Sequence, residues 1–134
     1  MAFHPEDRVV ASCSDDRSIK LWNLDDGGMI STMRCDSKVW SVAYSPDGTK
    51  LAAGLDYPSN SVVVFNTQNN EQICSLNVDA GLYGVLSVSF SPKGDMVAAG
   101  CHNGKIYFVD PTAGEIKSSL RGHRYVLIPK KFDI

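Results

Sequence analysis

The side chains of this chain best suited to chemistry are three histidines, four cysteines and the adjacent aspartates Asp15-Asp16. His4, His102 and His123 could ligate a metal or carry a proton. Cys13, Cys35, Cys74 and Cys101 could hold a soft metal or act as nucleophiles, and Asp15-Asp16 could share acid–base work. Their spacing supports none of these. The histidines are far apart, each beside a polar turn, and match no metal-ligand pattern. The cysteines are scattered without a C-x-x-C pair, which reads as reduced, small core residues. The aspartates open the turn tetrapeptide Asp15-Asp16-Arg17-Ser18, where a carboxylate bonds backbone amides two residues on, and the acidic turn position recurs alone as Asp56. The sequence has no nucleophile elbow, phosphate-binding glycine loop or dinucleotide fingerprint. The expectation is a non-enzyme with no catalytic residue, no metal and no cofactor.

Composition sets the frame for what these residues do instead. The 134 residues are 43% hydrophobic and 21% charged, enough for one modest domain, and the net charge of −2 gives no whole-chain attraction to nucleic acid or anionic membrane. No apolar run approaches the ~18 residues that would span a bilayer. The start lacks a basic region followed by an apolar one, so the reading is an intracellular protein, cytoplasmic or nuclear. Arg121, Arg124, Lys130 and Lys131 make the tail locally basic, but without an aromatic platform they read as a solvated end rather than a nucleic-acid site.

The elements repeat. Phe3-His4-Pro5, Tyr44-Ser45-Pro46 and Phe90-Ser91-Pro92 are three aromatic–x–Pro copies, spaced 41 and 46 residues apart. Each leads through a polar turn into a small-residue strand, predicted at 9–13, 51–54 and 96–100. Hairpin turns at 15–18, 56–61 and 102–105 follow, the second longer and containing Pro58. Third strands are predicted at 19–22, 62–65 and 106–109, and fourth strands at 29–33, 72–76 and 116–120. A repeat of about 40–45 residues with four short strands is the blade of a β-propeller. Both faces of the third strands are largely apolar, as expected of a sheet packed between two neighbours, although Lys20 stands where the other copies have Val63 and Tyr107.

These repeats resemble the WD-repeat (WD40) family, whose third strand ends in Trp-Asp; here the pairs are Trp22-Asn23, Phe65-Asn66 and Val109-Asp110. The family's Gly-His marker appears once, as Gly122-His123, while Cys35 and Gly81 hold that place for the second and third blades. The resemblance implies an all-β partial propeller: about three four-stranded antiparallel blades, approximately 2–38, 39–84 and 85–125, with an extra inner strand of a fourth at 126–134. Within that strand Pro129 and Lys130 occupy positions that are apolar or ladder-forming in a regular blade. The order of irregularities is most similar to the central repeats of the superkiller complex subunit 8 family, intact propellers that scaffold mRNA-decay machinery and, in animals, a transcription-elongation complex. In the WD-repeat family a loop His, a strand hydroxyl, the turn Asp and the third-strand Trp form a buried relay. This implies roles for Ser12 or Ser14, Asp16, Trp22 and His123, divided so that no single repeat holds a complete set.

The function expected is a scaffold or adaptor that binds peptide segments of a larger complex, with no direct contact to nucleic acid or membrane. Trp40, Tyr57, Tyr83 and Tyr125, from the segments before the inner strands and from the hairpin turns, are the candidate partner-binding aromatics. The alternatives are a catalytic or small-ligand propeller using its central channel, or a truncated product without function. The channel reading is disfavoured because the inner strands begin with Val39, Trp40, Val85 and Leu86 rather than convergent polar groups. Completeness is ranked in three steps: a piece of a larger propeller whose remaining blades complete it, a self-associating half-ring, and an independent monomer. On this reading Ile19, Leu21, Tyr107 and Val109 form outward faces lacking a neighbour.

Overall fold

The computed structural model describes residues 1–123, so Tyr125 and the extra inner strand expected at 126–134 lie outside the described residues. Among the described residues twelve strands follow one another with no helix between them. β1 (Ala2–Phe3), β2 (Val9–Cys13), β3 (Ser18–Asn23) and β4 (Met29–Arg34) form the first sheet in that order. β5 (Val39–Tyr44), β6 (Lys50–Leu55), β7 (Ser61–Asn66) and β8 (Gln72–Asn77) form the second. β9 (Val85–Phe90), β10 (Val97–Cys101), β11 (Lys105–Asp110) and β12 (Glu115–Arg121) form the third. All pairings are antiparallel between consecutive strands, so the fold is three four-stranded meanders, as expected of partial propeller blades.

Local chemistry explains why the blades end where they do. Asn23, Asn66 and Asp110 close the third strands, and each Oδ1 accepts a backbone N–H two residues on, from Asp25, Gln68 and Thr112, at 2.8, 2.9 and 2.8 Å. This bond reverses the chain into the fourth strand, which is why an Asx residue suits that position in every copy. A register shift recurs at the same place in each blade, between Leu21/Trp22, Val64/Phe65 and Phe108/Val109. A bulge there adds twist to the outer edge of each blade.

The core consists of two seams between blades. Ile19 and Leu21 of the first blade meet Val63 and Phe65 of the second, while Val62 and Val64 of the second meet Tyr107 and Val109 of the third. Burying each such side chain is worth about 1.5–3 kcal/mol, so the seams carry most of the stability. The central blade has a neighbour on both sides, and five of the six residues of β6 and of β7 are buried.

The facing of the end blades corrects the sequence expectation. Ile19, Leu21, Tyr107 and Val109 are interior, at 0%, 6%, 7% and 0% exposure. The outward faces carry Lys20 and Trp22 on the first blade and Ile106 and Phe108 on the third, all partly exposed. Composition could not decide this, because both faces of β11 are apolar. The direction in which the sheets stack decided it.

Candidate functional site

At one end of the strands, loops and turns are joined into a continuous hydrogen-bonded ridge. Cys35 N–H donates to Arg17 O at 2.8 Å and Val39 N–H to Ser14 O at 3.2 Å, tying the loop before β5 to the first hairpin turn. The same loop reaches the second hairpin turn through Asp56 N–H to Lys38 O at 2.9 Å and Ser37 Oγ–H to Ser59 Oγ at 2.7 Å. Val78 N–H to Asn60 O at 2.9 Å carries the ridge onward into the loop before β9. Each loop therefore clasps the turn of the blade behind it and the turn of the blade ahead.

The loop 78–84 is the most heavily fastened. Asp79 O accepts from Asn103 Nδ2 at 2.8 Å and from the Tyr107 hydroxyl at 3.2 Å, and the Asp79 carboxylate pairs with Lys105 Nζ at 3.0 Å. Asn103 N–H to Ala80 O and His102 N–H to Gly84 O complete the attachment at 3.2 and 3.1 Å. With its backbone held and Val78 and Ala80 buried, the loop turns Leu82 and Tyr83 outward, at 74% and 53% exposure. The Tyr83 ring stands edge-on to His102 with centroids 4.6 Å apart. Tyr57, 59% exposed, projects from the second hairpin turn of the same ridge.

Trp40 belongs to strand β5 rather than to a loop. Val39 pairs with Leu55 and Ser41 with Gly54, leaving Trp40 as the extra residue of a bulge. Leu86 occupies the equivalent bulge, between Val85 opposite Cys101 and Ser87 opposite Gly100. Leu86 is buried, whereas Trp40 is half-buried and belongs to neither inter-blade core. Its indole N–H is buried without an acceptor among the described residues.

The five relay residues are partly assembled. Trp22 Nε1–H donates to Ser12 Oγ at 2.9 Å. The Asp16 carboxylate accepts from the Ser18 amide at 3.0 Å and from the Ser18 hydroxyl, and Ser14 Oγ accepts from the Asp16 amide at 3.2 Å. These bonds hold Asp16 to its own turn, with its carboxyl below the usual range. His123 is exposed and not joined to this group among the described residues.

The other reactive side chains stay dispersed. His4 packs on Tyr44 at the opposite end of the strands, with ring centroids 5.0 Å apart. The four cysteines are free thiols, and burial raises all of them, Cys35 to about 11 and Cys101 to about 12. Among the described residues no three His, Cys, Asp or Glu side chains gather as metal ligands, and no helix is long and apolar enough to cross a membrane. Sequence reasoning missed Leu82. Its signal was an apolar residue between Gly81 and Tyr83 in an otherwise small and polar loop.

The profile of the family described as "WD domain, G-beta repeat" matches residues 1–23, 27–66 and 70–110. The second and third matches each run from the fourth strand of one blade through the third strand of the next, so the sequence repeat is staggered against the structural blade. Eukaryotic translation initiation factor 3 subunit I of Scheffersomyces stipitis is 28% identical over 89% of this chain and 37% of its own length. Human Coronin-2A is 28% identical over 89% of this chain and 25% of its length. WD repeat-containing protein VIP3 of Arabidopsis thaliana is 28% identical over 92% of this chain and 42% of its length. The chain thus spans less than half of each of these relatives, and their names do not single out the superkiller family.

Proposed function

The chain belongs to the WD domain, G-beta repeat family, whose members generally serve as scaffolds or adaptors, and we propose that it is a non-catalytic scaffold whose partner-binding surface is the ridge of loops and hairpin turns. The observation that carries this reading is the loop 78–84, fastened through Asp79, Ala80 and Gly84 and yet presenting Leu82 and Tyr83 to solvent. A pre-ordered loop with an exposed aromatic loses little conformational entropy on binding, which favours a hot spot. Tyr57 extends the surface, and the half-buried Trp40 belongs to the same proposed set at the inner rim. Tyr125 belongs to the same proposed set.

The partners are peptide segments of a larger intracellular complex, in the cytoplasm or nucleus, and the assembly we favour is the mRNA-decay or transcription-elongation machinery of the superkiller type. Remaining blades of a larger propeller, or a second copy, would complete the ring, with His123 joining the relay residues Ser12, Ser14, Asp16 and Trp22. The test is affinity purification with wild type, Tyr83→Ala, Leu82→Ser and Trp40→Ala, alongside thermal melts. Loss of decay or elongation subunits from variants that melt like wild type supports the reading. Undiminished recovery of the same subunits from all three variants overturns it for this ridge.

A further inference from the structure

At the end of the strands opposite the ridge, the first and second blades leave between them a groove of about 330 Å³. Its apolar floor is Val9, Leu21 and Tyr44, with the exposed side chain of Ile30 at one edge. The walls are tightly specified by local bonds. His4 Nδ1 accepts the backbone N–H groups of Glu6 and Asp7 at 3.1 and 2.8 Å, which fixes the turn that carries both carboxylates. Gly48 holds φ +75° directly against the His4 ring, so no larger residue fits there.

The lining carries three carboxylates, with His4 Nε2 3.7 Å from the Asp7 carboxylate and Lys50 close enough to Asp47 to favour its charged form. Glu6, Asp7 and Asp47 line it, and among the described residues no lysine or arginine does. The nearby Arg8 is held in an ion pair with Asp25. Asp47 uses Oδ1 to accept from Ser45 Oγ at 2.8 Å and from Thr49 N and Oγ1 at 3.0 and 2.7 Å, leaving Oδ2 unengaged. These bonds keep its carboxyl ionised down to about pH 2, while burial and Asp7 push the Tyr44 phenol up to about 12 and keep it neutral. Glu6 makes no side-chain bond or ion pair among the described residues.

We propose that this groove docks a partner polypeptide by receiving one arginine side chain. Its alkyl stem lies along Val9, Leu21 and Tyr44, and its guanidinium meets Glu6, Asp7 and Asp47. An arginine fits better than a point cation because a planar fork of five donors engages several carboxylates and rests against a tyrosine ring. The site is independent of the ridge, so either surface can fail without the other.

The test uses the 134-residue chain, ¹⁵N-labelled, titrated with a blocked heptapeptide holding one arginine among alanines, and with its lysine and citrulline counterparts. Expected are saturable shifts at the amides of Asp7, Gly48 and Thr49, weaker binding of the lysine peptide, and at least about tenfold weaker binding of the uncharged citrulline peptide. Glu6→Gln, which breaks no internal bond, should weaken the arginine peptide by about two- to fivefold with an unchanged thermal melt. Shifts confined to the ridge, equal binding of citrulline, or an unaffected Glu6→Gln variant overturn the proposal. Equal or tighter lysine binding overturns the choice of arginine. Calcium chloride giving the same saturable shifts would make the groove a cation site, and shifts that vanish on dilution without peptide would make it a contact between copies; either result overturns the peptide assignment.

Discussion

Trp22 donates its indole N–H to Ser12 Oγ at 2.9 Å across the first blade, and in the other two blades both partners are replaced together. Phe65 stands with Ala53, and Val109 with Ala99, at the equivalent positions of the ladders. Exchanging both members of a half-buried donor–acceptor pair for apolar groups is nearly neutral, whereas removing one leaves an unpaired group.

Ser12→Ala should therefore destabilise by about 1 kcal/mol, and adding Trp22→Phe should cost less than the sum of the two single changes. Urea unfolding of the four proteins measures the coupling. Strict additivity would mean the bond contributes nothing.

Gly54→Ala should be costly although glycine-to-alanine often favours a strand. An added Cβ would stand 2.8 Å from both Val85 Cγ1 and Val85 O, where the second and third blades meet. Overpacking of this kind costs about 1–3 kcal/mol. A stability equal to wild type would show that the two blades separate more readily than the packed seam implies.

Acid should weaken the turn around Asp47. Its folded pKa is lowered from 3.8 to about 2, so the linked stability is fully present above pH 4 and is lost as the pH falls towards 2. In Asp47→Asn the slope of melting temperature against pH should flatten between pH 4 and 2. An unchanged slope would assign acid sensitivity to other carboxylates. Because the side chain is almost fully exposed, screening keeps the effect small.

The thiols should react slowly in the native protein. Cys101 is fully buried and held near 12, Cys35 near 11, and Cys13 and Cys74 are raised by burial. A disulfide-exchange reagent at neutral pH should titrate Cys101 only on unfolding. Fast stoichiometric labelling of Cys101 without denaturant would indicate that the seam between the second and third blades opens.

Loosening the loop 78–84 should be separable from unfolding. Asn103→Ala removes the 2.8 Å bond to Asp79 O and should raise hydrogen exchange at Ala80 to Gly84 before it lowers the global melt. Uniform exchange changes across all three sheets would place Asn103 in the global core instead.

Much of the fold was legible because its signals are local. The aromatic–x–Pro copies, the Asx residues ending the third strands and the β-branched runs between them act within a few residues, so they marked the second, third and fourth strands of each blade to within a residue or two. The candidate surface was less legible. Tyr57 and Tyr83 could be read as exposed loop aromatics, but the exposure of Leu82 follows from the bonds of Asp79 to Asn103, Lys105 and Tyr107, residues more than twenty positions away. The bulge at Trp40 likewise depends on its pairing with β6.

The sequence alone determined that the chain forms repeated four-stranded sheets, since strand period, turn residues and repeat length are properties of neighbouring residues. Tertiary structure decided which way each sheet faces. Ile106/Phe108 and Tyr107/Val109 are equally apolar, and only the stacking against Val62 and Val64 buried Tyr107 and Val109 while leaving the other pair partly exposed. It also brought Glu6 and Asp7 of one blade to the same groove as Asp47 of the next. Such approaches arise from inter-blade packing between segments some forty residues apart, and no local pattern encodes them.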